Sequence, residues 1–200
     1  MTTATPRPTA LPHALLAPQP CQWLPHAPLA PQPSEQLPHA RLVPKPSVRT
    51  ARPDEAAALA ALSRPFVRSG ALRERPVSLY ATRAADFLLL EAPDGTLDGC
   101  VGLRTYPADA GRSTCERPGV VYNFCVAAHR QGSGAGAGLL RAVLAMARAR
   151  SLDAVFTATT GGAGLFLRYG FTRTTPCQAP RSWADSLDPR RNAQVLVSRG

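Results

Sequence analysis

Proline is the residue that most limits what this chain can fold into. Most of its 21 prolines fall before Pro53, inside a thirteen-residue repeat that reads LPHALLAPQPCQW, LPHAPLAPQPSEQ and LPHARLVPKP. Each Pro fixes its own φ and removes a backbone donor, so this stretch can close no core; disorder with polyproline II character is expected. The division that follows is a Pro-rich leader over residues 1–47 and one domain over residues 48–200. The repeat puts His13, His26 and His39 in register, but register alone supplies no ligand geometry, and no metal site is expected. Glu35 is the only acid before residue 48, as in a transit peptide, yet proline every few residues forbids the amphipathic helix such a peptide uses. No apolar run approaches the roughly 18 residues of a membrane span, and no secretory signal is evident. A cytoplasmic protein with no membrane partner is the expectation.

The charge narrows the partners. The net charge is +10, with Lys45 the single lysine and the other basic residues all arginine. They are scattered singly, without the basic runs and interleaved aromatics of a nucleic-acid groove, so no nucleic acid is expected and an anionic small ligand is the more economical partner. The five cysteines (Cys21, Cys100, Cys115, Cys125 and Cys177) show no CxxC spacing, which argues against zinc and against a disulfide framework.

Within the domain the pattern predicts a strand near Val48 to Ala51, a helix from about Asp54 to Leu62 and a second from Ser78 to Ala84. A hairpin, Phe87 to Ala92 and Gly99 to Tyr106, turns at Pro93-Asp94-Gly95. A polar loop from Ala108 to Pro118 leads into a strand, Val120 to Ala127. Leu140, Val143, Leu144 and Ala147 recur at helical spacing, so a helix begins inside the glycine run of HRQGSGAGAGLL. A strand from Ala154 to Thr159, a short helix from Ala163 to Tyr169 and a strand from Gln194 to Ser198 complete an α/β order, antiparallel early and with a helix crossover after the glycines.

That glycine run lies between a buried strand and an amphipathic helix, which is not where a linker belongs. Free N–H groups at a helix start favour an anion, and glycine lets a phosphate reach the backbone. The P-loop pattern fails because Leu139-Leu140 follows the last glycine where Lys-Ser/Thr is needed. Gly132, Gly134 and Ala137 satisfy a GxGxxA dinucleotide fingerprint, but the candidate acid, Asp153, precedes the next strand instead of ending it.

The stretch from Val126 to Leu140, VAAHRQGSGAGAGLL, resembles the acetyl-CoA motif of the GNAT-type N-acetyltransferases, with Gln131, Gly134 and Gly136 at its Gln/Arg-x-x-Gly-x-Gly/Ala positions. SRPFVRSGALRER, YNFCVAAH, VFTATTGGAGLFLRYGF and DPRRNAQVLV are similar to segments of one branch, the acetyltransferase domain of N-acetylglutamate synthase, in its short single-domain form. The resemblance covers residues 48–200. It implies the GNAT fold, a mixed central sheet with flanking helices, and acetyl-CoA as co-substrate without a metal. It implies acetyl transfer to the α-amine of L-glutamate or L-glutamine, the first step of arginine biosynthesis; a homodimer is compatible with it. By resemblance, Phe124, Cys125 and Val126 meet the pantetheine arm, and Gln131, Gly132, Ser133, Gly134, Ala135 and Gly136 hold the pyrophosphate. Phe166 packs against the cofactor arm, and Arg75, Arg191, Cys125 and Thr160 face the acceptor. Thr159 is the candidate proton donor to the leaving thiolate. Tyr122 stands where some synthases carry a glutamate base, and Phe166 stands where many GNAT enzymes carry a tyrosine acid, so the acid–base pair is open. Acetylation of a different amine, or acetyl-CoA sensing without turnover, stays open too.

Overall fold

In the computed structural model, residues 45–109 and 116–200 are described. The expectation for the leader, including its three histidines, lies outside the described residues, as do Cys21 and Cys115. The strand β1 (Ser47–Thr50) is followed by a 3-10 turn (Pro53–Glu55), helices α1 (Ala56–Arg68) and α2 (Val77–Thr82), and strands β2 (Phe87–Glu91), β3 (Leu97–Thr105) and β4 (Pro118–Val126). Then come α3 (Ala135–Ala149), β5 (Ala154–Thr159), α4 (Gly164–Arg168), β6 (Thr172–Thr174), α5 (Arg181–Ala184) and β7 (Gln194–Arg199). The seven strands form one mixed sheet in the order β1-β2-β3-β4-β5-β7-β6. Every pairing is antiparallel except β4 with β5, as a helical crossover between them requires.

Both faces of the sheet are covered. Leu88, Leu90, Val101 and Leu103 pack with Leu139, Leu140 and Val143 of α3 on one face. Phe87, Leu89 and Cys100 pack with Leu59 of α1 and Tyr80 of α2 on the other. The period-two alternation of side chains sends successive residues of Phe87-Leu88-Leu89-Leu90 to opposite faces, which is why that strand is apolar without a break. A third cluster, Val120, Phe156, Val195 and Val197, lies under Trp183 of α5.

Three elements depart from the sequence expectation, one of them the single-turn helix α5 (Arg181–Ala184), too short to show a helical period. Helix α1 does not stop at Leu62 but continues to Arg68 with Pro65 inside it. Interior proline removes one i−4 hydrogen bond; here Leu59, fully buried, and Phe66 are packed against the α1 face of the sheet, and that packing outweighs the lost bond. Strand β6 was not foreseen because Thr172–Thr174 has no apolar alternation; β7 alone specifies it by pairing Thr172 with Val197 and Thr174 with Val195.

Strand β1 is fastened at the sheet edge by charge. Arg49 bonds Glu91 on β2 and Glu55 in the following turn, the latter at 2.6 and 2.9 Å. Glu55 also accepts from the Arg52 N–H at 2.7 Å. Hydrogen bonding to Arg49, foremost, holds the Glu55 carboxyl down to about 2 from an ordinary 4.5. A folded-state pKa below the unfolded one gives stability that is complete above about pH 4.5 and is lost as the pH falls toward about 2. Replacing Glu55 by Gln should therefore destabilise the domain at neutral pH, and the gap from wild type should close on acidification through that window. Urea unfolding at stepped pH measures it, and a pH-independent gap would contradict the assignment.

Candidate active site

The site begins where β4 and β5 separate. Their parallel pairing covers only Pro118 to Val120 against Ala154 to Phe156. One further tie, from the Thr157 hydroxyl to the Val121 carbonyl at 3.1 Å, closes the paired region. Beyond it each strand is held on its far side alone, β4 by β3 and β5 by β7. The inner edges leave a cleft in the middle of the sheet.

A bulge in β4 sets what that cleft sees. Between the Gly102–Tyr122 and Cys100–Cys125 pairs, β4 spends one residue more than β3, and Asn123 takes φ +51°. The extra residue shifts the alternation. Val121, Phe124 and Val126 join the α3 face, while Tyr122 and Cys125 join the α1 face. The Asn123 carbonyl points to β3, where the Cys100 thiol approaches at 3.6 Å. In a trans peptide the next N–H points the opposite way, so the Phe124 N–H is directed into the cleft.

At the end of β4 the chain turns under the control of Asp98, which is nearly fully buried. Its carbonyl accepts from Ala127 N–H at 2.7 Å, and its carboxylate meets His129 Nε2 at 2.9 Å and Arg130 Nε at 3.0 Å. The glycine run follows. Gly132 and Gly134 have φ of +77° and +85°, and a Cβ on either would meet nothing within 4 Å. Open space, not close packing, is what their missing side chains leave. Gly134 caps α3, whose first turn holds no acidic residue, and the first-turn N–H groups have no i−4 partners. Gly136 sits against Phe124 and Val126, 3.7 and 3.8 Å from its would-be Cβ, so this cradle opens at the mouth of the cleft. Its shape and its donors fit a diphosphate.

On the α1 face the cleft opens into a cavity of about 410 Å³ lined in part by Arg75, Arg83, Arg104, Tyr122, Thr160 and Arg191. Arg73 also lines it, and the carboxylates of the wall are Glu74 and Asp188. The cavity is therefore basic. Arg75 lies over the Tyr122 ring, 4.9 Å from its centroid, and Tyr122 fits because a side chain at Gly102 would come within 2.6 Å of that ring. Arg75 has no ion-pair partner among the described residues, and burial lowers its guanidinium pKa; a desolvated cation in this position favours an anionic ligand. Burial likewise pushes the Tyr122 phenol upward, so it stays protonated at neutral pH.

Several residues named from the sequence occupy other surroundings. Gln131 turns its side-chain amide to the Val126 carbonyl at 3.0 Å and its N–H to Ala128 at 3.2 Å, so it braces the loop and leaves the anion to its neighbours. Ser133 donates its hydroxyl to the Arg130 carbonyl at 2.6 Å. The Cys125 side chain is buried with its sulfur 3.4 Å from that of Cys100, away from the cavity wall. Phe166 is a core residue between Phe124 and Phe171, at centroid distances of 5.6 and 5.4 Å, and supports the Phe124 wall from behind. Thr159 shares the face of Thr157 by alternation, opposite Ala158 and Thr160, and its hydroxyl is bonded to the Gly161 backbone. Arg191 lines the cavity while donating to the carbonyls of Gly70 and Ala71 at 2.6 and 3.0 Å. Asp153, the candidate dinucleotide acid, accepts from the N–H groups of Glu116 and Arg117, a loop anchor. Arg83 and Arg104 were missed, although Arg104 follows Cys100 and Gly102 on the same strand parity. Among the described residues no cluster of His, Cys, Asp and Glu could hold a metal, and no helix is long and apolar enough to cross a membrane.

A sheet split beside a glycine-capped helix, with a bulged strand on one side of the split, defines an acyl-CoA-dependent acetyltransferase architecture. The sequence profile of the acetyltransferase (GNAT) family matches residues 56–171, and the chain belongs to that family. It is 31% identical over 153 residues to the amino-acid acetyltransferase of Ralstonia nicotianae and 27% identical over 153 residues to that of Vibrio atlanticus. The matched regions cover 76% and 75% of this chain but 32% of each relative, so the chain spans about a third of the relatives it matches. Among solved structures, N-acetylglutamate synthase from Neisseria gonorrhoeae, complexed with coenzyme A and N-acetyl-glutamate, superposes with a TM-score of 0.68 at 27% identity, over 77% of this chain and 35% of that one. Rv2747 from Mycobacterium tuberculosis shares the fold at 22% identity and a TM-score of 0.59, over 78% of this chain and 99% of its own.

Gly134→Val tests the cradle. A β-branched residue at φ +85° is strained, and its side chain projects into the space left for the anion. Calorimetric titration with CoA should show binding weakened about tenfold or more with the fold intact by circular dichroism. Unchanged affinity would place the nucleotide elsewhere.

Proposed function

We propose that this protein transfers the acetyl group of acetyl-CoA to the α-amine of L-glutamate, with L-glutamine as a weaker acceptor, and that it does so in the cytoplasm as the opening step of arginine biosynthesis. The observation that carries the reading is Arg75, a half-buried cation without an acidic partner among the described residues, in a basic cavity that joins the cleft from the side opposite α3. A dicarboxylic amino acid supplies two anions to such a cavity and leaves its amine free. The relatives named above, an amino-acid acetyltransferase and a synthase complexed with N-acetyl-glutamate, support the same choice.

Arginine suits this task because its planar fork pairs bidentately with a carboxylate. Arg75 and Arg191 take one end of the acceptor, and Arg104, stacked 4.9 Å over the Tyr106 ring, offers a guanidinium to the other. The first-turn amides of α3, with Gly132 and Gly134, hold the diphosphate of acetyl-CoA, whose thioester supplies the activated acyl group. The Phe124 N–H donates to the carbonyl oxygen as it gains charge, a contribution typically worth roughly 2.7–4 kcal/mol. Tyr122 is held protonated and does not accept the amine's proton; it leaves through water, with Glu74 of the cavity wall as the carboxylate able to receive it. Thr159 remains the candidate donor to the departing sulfur.

Release of CoA thiol, followed with a thiol reagent against a panel of amino acids and peptide amines, tests the acceptor. Glutamate should give the highest kcat/KM, and Arg75→Gln should raise the KM for glutamate about 10- to 100-fold while leaving CoA affinity within about twofold. No thiol release with either glutamate or glutamine would reject the reading; equal loss of both affinities would reject the role of Arg75.

A further inference from the structure

The bulge that turns the Phe124 N–H into the cleft is held by a polar clamp that the reaction itself does not use. Asn123 is 5% exposed; it borders the basic cavity, and its side chain is bonded into the α1 face of the sheet, whose buried residues include Leu59, Phe87, Leu89 and Cys125. Its Oδ1 accepts from the Tyr80 hydroxyl of α2 at 3.2 Å. Its Nδ2 donates to the Ser63 hydroxyl of α1 at 2.9 Å, and Ser63 passes its own proton to the Leu59 carbonyl at 2.9 Å. The main chain of Asn123 is left-handed at φ +51°, a conformation that asparagine tolerates better than most residues with a Cβ. Buried polar groups satisfied on every side fix one geometry, because each alternative leaves a group unpaired. Here the fixed geometry is that of the peptide whose far end is the Phe124 N–H.

We propose that Asn123 is a positioning residue for acetyl transfer: its side chain, clamped between Ser63 of α1 and Tyr80 of α2, holds the β4 bulge so that the Phe124 amide stays aimed at the thioester carbonyl. The clamp also joins the two helices over the acceptor face to the polarising amide. The proposal rests on the acetyl-transfer reading but not on the identity of the acceptor. A purely structural asparagine would cost stability when replaced and would leave the carbonyl's environment in the folded variant as it was.

The test uses the full chain and the carbonyl-¹³C-labelled dethia analogue of acetyl-CoA, a ketone in which methylene replaces the sulfur. On wild-type protein the carbonyl resonance should move downfield as it accepts the Phe124 hydrogen bond. In Asn123→Ala most of that movement should vanish, and kcat should fall about 10- to 100-fold with the KM for acetyl-CoA within about twofold. Asn123→Gly keeps the backbone conformation without the clamp and should show the same loss; wild-type kcat in that variant would overturn the clamp. Should Asn123→Ala not fold, Tyr80→Phe and Ser63→Ala each remove one partner and should shift the resonance in the same direction by less. A folded variant whose bound carbonyl resonates as in wild type would overturn the proposal. If wild-type protein acetylates neither glutamate nor glutamine, the acceptor reading fails on its own, and the resonance in wild type and variant still decides the role of Asn123.

Discussion

Everything at the candidate site depends on β4 and β5 staying together for three residue pairs and then parting. In an ordinary parallel sheet the inner edges would satisfy one another to the end of both strands. Here the unpaired edges persist because the far edges are secured, β4 by β3 and β5 by the full length of β7. Buried backbone donors without partners are costly, so an open sheet interior is itself a statement that something extended belongs there. The Phe124 N–H faces this gap from β4, and the glycine cradle at its mouth gives its occupant an anionic end.

The two faces of the split then divide the labour. On the α3 face, Phe124 and Val126 wall the passage, Phe166 and Phe171 back them, and Gly132 and Gly134 leave open space at its mouth. On the α1 face, Arg75, Arg83, Arg104 and Arg191 make the cavity basic. The single extra residue of the bulge performs this division, since without it Asn123 would stand where Phe124 does and Cys125 would cross to the α3 side. Asp98 contributes by pinning the turn between bulge and cradle with its carbonyl and carboxylate together.

Much of this was legible in the sequence, and the reasons are local. The helix beginning inside HRQGSGAGAGLL, the β4 strand and the hairpin around Pro93-Asp94-Gly95 are each encoded by short-range periodicity and turn chemistry. Helix α1 past Pro65 and strand β6 were not, because tertiary packing of Leu59 and Phe66 and pairing with β7 specify them from a distance. At the site, the structure puts Gly134 at the cap of α3 and Arg75 in the basic cavity, and it engages the side chains of Gln131, Cys125 and Phe166 with Val126, Cys100 and Phe124. A motif fixes where the backbone goes; it does not say that Gln131 will spend its amide on Val126. The bulge was equally invisible, since nothing in YNFCV announces φ +51° at Asn123.

The measurement that bears most directly on this account is an amide-resolved titration of isotope-labelled protein with coenzyme A. The account predicts that the amide resonances of Gly132, Gly134, Ala135, Gly136 and Phe124 move together along one binding isotherm, while those of β1 and β6 stay in place. Movement confined to residues outside the cleft, with these five unmoved at saturation, would contradict it.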